Sequence, residues 1–134
     1  MRFRRDESEY CEVIGMEFIF VGLGGAAGAA LRYAISLLPS KGLFPLWTLV
    51  TNVIGALCIG LVTGMALRKN LPANMVLFLK TGVCGGFTTF STFSLESYTL
   101  FQSGRPGIAV LYMVLSVIFC LAGVMGGMAI AEKA

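Results

Sequence analysis

Four apolar stretches fill most of this chain of 134 residues, and they restrict its fold more than any other feature. They cover about residues 18–38, 46–67, 75–101 and 106–131. About 20 apolar residues in an α-helix cross a hydrocarbon core about 30 Å thick, so each stretch is long enough to span a membrane. Only 13% of the residues are charged, about half the fraction in a soluble domain. We therefore expect an all-α membrane protein with four transmembrane helices in a lipid bilayer.

The first fifteen residues differ from the rest because they are polar and carry charges of both signs. They have no apolar segment of their own, and a stretch of full helix length follows them without a clear cleavage site, so they do not resemble a signal peptide. We expect residues 1–15 to be a flexible or surface-lying extension and residues 16–134 to be the transmembrane domain.

The polar composition argues against several classes of function. The chain has no histidine, which is the commonest general base and metal ligand, and it has no H-E-x-x-H motif or paired carboxylates. We therefore expect that it is not an enzyme. The net charge is only +3 and the basic residues are scattered, so we expect no nucleic-acid partner. The four cysteines form no C-x-x-C pair, which indicates small buried apolar side chains.

The basic residues are almost equally divided between the two ends of the predicted helices. With residues 1–15 set aside, one side carries Arg68, Lys69, Lys80 and Lys133, and the other carries Arg32, Lys41 and Arg105. An excess of lysine and arginine on one side orients a membrane protein, and this excess is nearly absent. The balance indicates a chain that inserts in both orientations.

Two pairs of glycines lie four residues apart within the apolar stretches, Gly24 with Gly28 and Gly60 with Gly64. Such pairs allow two helices to approach closely, either within one chain or between two chains. Because four short helices do not easily enclose a pore, we expect a dimer.

The centre of the third stretch is poorly suited to a continuous helix. Gly82, Gly85 and Gly86 weaken the helix there, and the hydroxyls of Thr88 and Thr89 can redirect backbone hydrogen bonds. A break would leave carbonyl oxygens at the end of one half-helix and N–H groups at the start of the other. Broken helices hold ions with these groups, and carbonyl oxygens suit a hard cation such as sodium. We predict that the third helix is broken at its centre.

Polar side chains recur at spacing four in the second and fourth stretches, Thr48 with Asn52, and Tyr112 with Ser116 and Cys120. This spacing places each set on one helix face. Each residue alone is compatible with an interhelical hydrogen bond, but polar residues within a membrane also mark pathways. A thiol is a weak donor, so Cys120 is not assigned to a pathway.

Phe90 and Phe93 share one face beyond the predicted break. Their spacing alone is typical of ordinary packing, although the positive edge of an aromatic ring can also favour an anion. No lysine or arginine lies at the centre of this stretch, so nothing there would trap an anion by full charge. Weak binding of this kind is what conduction requires.

Two segments resemble the Fluc (CrcB) family of bacterial fluoride channels: Gly-Gly-Phe-Thr-Thr-Phe-Ser-Thr-Phe-Ser at 85–94 and Phe-Pro-Leu-Trp-Thr-Leu-Val-Thr-Asn at 44–52. The resemblance extends over 16–134. It implies an antiparallel, dual-topology homodimer in the bacterial inner membrane, with two pores that export fluoride passively. It also implies a structural sodium ion on the two-fold axis.

The resemblance also implies roles for individual residues. The backbone carbonyls of Gly85 and Thr88 from both subunits would bind sodium, Phe90 and Phe93 would line the pore, and Arg32 would attract anions in a vestibule. The other pore residues would be Asn52, Thr48, Ser91, Thr92, Tyr112 and Ser116.

Glu96 follows the motif, and its negative charge would repel fluoride if it faced the pore. The alternative is a pairing with a basic residue such as Lys80 or Arg32, and the sequence leaves the choice between them open.

The main alternative function is a small proton-coupled multidrug exporter of dual topology. Such a transporter needs a carboxylate deep in the membrane, whereas Glu17 lies at the edge of the first stretch and the centres of the first two stretches are free of acidic residues. A structural helper subunit is a further alternative, but it would leave the polar stripes without a purpose.

Overall fold

A computed structural model describes residues 3–40, 42–69 and 71–134, with side chains from residue 13 onward. Every regular element in these ranges is helical. The elements are α1 (Phe3–Ser36), α2 (Leu46–Lys69), α3 (Ala73–Val76), the π-helix π1 (Leu77–Cys84), α4 (Gly85–Phe87), α5 (Phe90–Gln102) and α6 (Pro106–Lys133).

Within the described ranges, three helical segments are long and apolar enough to cross a membrane: Val13–Ser36, Leu46–Lys69 and Pro106–Lys133. The chain between residues 73 and 102 is also helical for most of its length, but it is interrupted and neither half has the length of a span. Proline at the first turn of α6 confirms the predicted helix start there.

The helix α1 begins well before the apolar stretch. Its 34 residues correspond to about 50 Å of helix, against about 30 Å for a hydrocarbon core. The backbone of residues 3–15 therefore continues α1 without a break at residue 16. The surface location of this extension stays a prediction.

The C-terminal ends of α2 and α6 lie side by side. Arg68 donates from Nη1 to the Glu132 carbonyl at 3.1 Å, and its Nη2 lies 3.8 Å from Glu132 Oε1. Lys69 Nζ donates to the Ala134 carbonyl at 2.9 Å. Basic side chains on the last carbonyls of a helix stabilise its C-terminus, so these contacts hold two parallel helices together.

We call residues 73–102 the third segment. It is interrupted at Thr88 and Thr89, which have extended backbone (φ −78°, ψ 157° and φ −149°, ψ 113°). The sequence predicts weakening at Gly82, Gly85 and Gly86, but all three glycines are helical. Glycine removes the side chain without forcing a helix to end. The Thr88 N–H still donates to the Cys84 carbonyl as it would in a helix, whereas the Thr89 N–H and carbonyl bond the Asn52 side chain. The break therefore begins two residues after Gly86.

The glycines allow α1 to contact the backbone of the third segment. A Cβ atom added to Gly82 would lie 2.8 Å from the Gly24 Cα, and one added to Gly28 or Gly86 would also overlap backbone atoms of the facing helix. No real Cβ atom fits at these distances. The close approach of the two helices therefore depends on glycine at each of these positions.

Gly60 and Gly64 serve the same purpose between α2 and α6. An added Cβ would overlap the backbone of Val124 in one case and Ala131 Cβ in the other. Both glycine pairs found in the sequence are therefore used within one chain, the first of the two arrangements that their spacing allows. These glycine pairs therefore give no support to the expected dimer.

Candidate functional site

Asn52 of α2 holds the break in the third segment. Its Oδ1 accepts a hydrogen bond from the Thr89 backbone N–H at 2.8 Å, and its Nδ2 donates to the Thr89 carbonyl at 3.2 Å. A carboxamide carries both a donor and an acceptor, so one side chain satisfies both backbone groups of the residue that leaves the helix. A break at membrane depth is tolerated only where other groups satisfy the freed backbone, and this pairing supplies such partners.

The threonine hydroxyls complete both helix ends at the break. The N–H and the Oγ1 hydroxyl of Thr88 both donate to the Cys84 carbonyl, at 3.0 and 2.9 Å. Thr89 Oγ1 accepts from the Thr92 N–H at 3.2 Å and so caps the first turn of α5. The sequence-based prediction of hydroxyls that redirect the backbone is confirmed at these two positions.

The Gly85 and Thr88 carbonyls, predicted to bind sodium, lie at the end of the first half-helix. In a continuous helix they would accept from Thr89 and Thr92, whose N–H groups instead bond Asn52 Oδ1 and Thr89 Oγ1. Among the described residues, no hydrogen bond outside the regular helices ends on either carbonyl. Space beside Gly85 is open. These two oxygens fit the ligands that a hard cation requires.

A cavity of about 330 Å³ lies beside the break, between α2, α5 and α6. Its walls are mostly apolar, and none of its lining side chains carries a charge. The lining residues are Asn52, Gly55, Ala56, Ile59, Thr88, Thr89, Phe90, Phe93, Ser116, Val117, Cys120 and Val124.

Ser116 is the unusual polar group of this cavity. Its side chain is only 6% exposed, and among the described residues its hydroxyl has no hydrogen-bond partner. A buried hydroxyl without a partner costs about 1–3 kcal/mol, and nearly all buried polar groups avoid this cost. Ser116 lines the cavity, and its hydroxyl is left without the partner that such a buried group normally has.

The two predicted pore phenylalanines are adjacent. Their ring centroids are 5.5 Å apart with an interplanar angle of 40°, and Phe93 also contacts the buried ring of Tyr112 at 5.2 Å. Phe93 is therefore partly a packing residue. Phe90 is 79% exposed at the open side of the cavity, so packing within the chain does not account for it.

Glu96 pairs with neither Lys80 nor Arg32 among the described contacts, and that alternative is wrong. Thr48 Oγ1 donates to Glu96 Oε1 at 2.8 Å, and the buried Tyr112 hydroxyl donates to Oε2 at 2.7 Å. Hydroxyls from α2 and α6 take the place of a basic partner. Thr48 and Tyr112, both predicted to be donors in the pore, thus donate their hydroxyl hydrogens to the Glu96 carboxylate.

Arg32 borders a second, smaller cavity of about 60 Å³. Its Nε donates to the Gly86 carbonyl at 3.2 Å, which ties α1 to α4. Thr48 and Thr92 line this cavity together with Arg32. The other residues around this cavity are Ile35, Ser36, Trp47, Thr51 and Thr89.

Ser91 lies outside both cavities and is exposed, with its Oγ 3.4 Å from Thr89 Oγ1. Sequence reasoning gave no role to Thr51, which is buried beside the small cavity. Thr51 lies three residues after Thr48 and one before Asn52, so it is on a neighbouring face of the same helix. That spacing could have identified Thr51 as a further polar residue near the site.

A family model described as CrcB-like protein, Camphor Resistance (CrcB), matches residues 19–128, which is most of the chain and includes every residue around the break. The chain belongs to the CrcB family. This confirms the resemblance carried by segments 44–52 and 85–94.

Several relatives of this CrcB chain are named Fluoride-specific ion channel FluC. One from Ruminiclostridium cellulolyticum is 49% identical over 119 residues, covering 85% of this chain and 91% of the relative. One from Azobacteroides pseudotrichonymphae is 41% identical, covering 87% and 96%. The expectation that the chain is not an enzyme is confirmed by this family of channels. Family membership and the apolar helices together identify a multi-pass membrane protein.

The Asn52 pairing predicts a specific loss of stability. Asn52→Ala should lower the free energy of unfolding of the CrcB chain by about 1–3 kcal/mol, because two backbone groups at the break lose their partner. Thermal unfolding in detergent measures the change. Thr99→Ala is the matched control, since Thr99 Oγ1 bonds only a carbonyl of its own helix. Equal midpoints for both variants would contradict the role of Asn52.

Proposed function

We propose that this chain forms a fluoride-selective channel that exports fluoride passively from the cytoplasm across the bacterial inner membrane. The observation that carries the proposal is the buried Ser116 hydroxyl, which has no partner among the described residues and lies in a cavity with uncharged walls. A neutral donor binds an anion strongly enough to replace water and weakly enough to release it. The names of the relatives support fluoride as the ion and favour a channel over a multidrug exporter.

In this proposal residues 73–102 also cross the membrane, as the third of four crossing segments. A broken segment is tolerated at membrane depth only where other parts of the protein satisfy its backbone. Asn52 and the Thr89 hydroxyl supply that satisfaction. The four segments then alternate in direction, with the end of α2 beside the end of α6.

Several groups around the cavity can replace the water around fluoride. Asn52 Nδ2 has two hydrogens and uses one on Thr89, so one remains for an anion in the cavity that Asn52 lines. Ser116 supplies a hydroxyl, and the edges of Phe90 and Phe93 supply partial positive charge. These groups surround an anion without any full positive charge.

Arg32 would attract fluoride at one end of this path. Thr48 also lines the small cavity beside Arg32. The hydroxyls of Thr48 and Tyr112 both donate to the Glu96 carboxylate. Fluoride can accept from these hydroxyls only when the carboxylate moves away from them. Glu96 therefore occupies, with its own negative charge, a position that an anion would otherwise take.

A second, antiparallel copy of the chain would complete the channel and give two pores per dimer. The two predicted ligands in one chain, the Gly85 and Thr88 carbonyls, are fewer than the about six or more oxygen ligands that hard cations take. Two copies related by a two-fold axis would supply four carbonyls for a sodium ion, beside the open space at Gly85. The balanced lysine and arginine distribution suits insertion in both orientations.

Ser116 gives a direct test of the anion path. Ser116→Ala should reduce fluoride efflux from liposomes by about tenfold or more, because one donor to a charged group is worth about 1.5–3 kcal/mol. Ser97→Ala is the matched control: Ser97 is 5% exposed, but its hydroxyl bonds the Phe93 carbonyl of its own helix. A fluoride electrode reads both fluxes. Unchanged flux in Ser116→Ala would remove this cavity from the path.

The sodium proposal has a separate test. Prolonged exchange of sodium for a large organic cation should abolish fluoride flux and lower the thermal midpoint of the dimer, because the facing carbonyls would repel one another without an ion. Light scattering in each buffer gives the molar mass. Full flux and an unchanged midpoint without sodium would contradict a structural cation, and the mass of a single chain in both buffers would contradict the dimer.

A further inference from the structure

Cys120 lines the same cavity as the unpartnered Ser116 hydroxyl. It lies four residues after Ser116 on α6, on the same face of the helix, and is partly exposed. We propose that Cys120 is a modification site within the anion cavity, where small uncharged thiol-reactive compounds attach and block passage. The predicted block of fluoride flux rests on the proposed function, whereas the predicted labelling of the Cys120 thiol does not.

The neighbouring cysteines differ in their surroundings. Cys84 is 5% exposed and lies outside the residues that line the cavity. Cys58 is exposed on α2 but also does not line the cavity. Cys11 lies outside the residues whose side chains are described. The chain thus offers a buried thiol and an exposed thiol for comparison with the one that lines the cavity.

The dimensions of the cavity suit a small reagent. Its volume of about 330 Å³ leaves room for a methylthio group on Cys120. Such a group would lie one helical turn from Ser116 and near the rings of Phe90 and Phe93, which line the same space. It would replace a weak S–H donor by an apolar group and narrow the space that an anion can use.

Methyl methanethiosulfonate is a suitable probe because it is small and uncharged. The Cys120 sulfur attacks the sulfenyl sulfur of the reagent, a disulfide bond to the methylthio group forms, and the bond to the sulfonyl group breaks. Methanesulfinate leaves with the electron pair, and the thiol proton passes to water. An added thiol reverses the modification by disulfide exchange, so block and recovery can be followed in one sample.

The test uses the full chain in liposomes, with Cys11→Ser in every sample. Fluoride efflux is measured before treatment, after treatment and after addition of a thiol, and mass spectrometry identifies the labelled cysteine. We expect Cys120 to be labelled well before Cys84, with loss of most of the flux and recovery after reduction. Cys58→Ser should remain sensitive, whereas Cys120→Ser should keep most of its own untreated flux during treatment.

The two readouts separate the possible failures. Labelling of Cys58 without Cys120 would overturn the inference, and so would labelling of Cys120 that leaves an active channel at full flux. Rapid labelling of Cys120 in a protein that never conducts fluoride would support the accessible site and contradict the proposed function instead.

Discussion

The pairing of Asn52 with both backbone groups of Thr89 is the interaction on which the site depends. A membrane segment can leave the helical conformation only if other groups satisfy the freed N–H and C=O. One carboxamide from α2 does so here, and it thereby fixes the start of α5. The positions of Phe90, Phe93 and Glu96 follow, because all three lie on α5. The same pairing leaves the Gly85 carbonyl without its usual helical partner.

The groups that line the main cavity carry dipoles and no full charges. The main cavity has no charged lining residue, Arg32 lies at a separate small cavity, and Glu96 is bound by two hydroxyls. A fixed positive charge within a low-dielectric region would hold an anion too strongly for release. Hydroxyl, amide and ring-edge dipoles avoid this. The distribution of charge therefore suits passage better than storage.

Much of this arrangement could be predicted from the sequence, because periodicity and length determine helices in a membrane. The start of α6 and the face shared by Thr48 and Asn52 followed from such rules. Tertiary partners did not: a helical wheel shows that Gly24 and Gly60 permit close contact, but not which helix comes close. The hydroxyl partners of Glu96 lie 48 and 16 residues away, and local spacing carries no information about them.

A paired efflux measurement tests whether this cavity selects a small, strongly hydrogen-bonding anion. Liposomes that contain the purified chain are loaded with equal concentrations of fluoride and chloride, and ion-selective electrodes follow both anions. Fluoride is the smaller ion and the stronger hydrogen-bond acceptor, so a path of neutral donors favours it. We expect rapid loss of fluoride while chloride is retained. Comparable efflux of both anions, or retention of both, would contradict it.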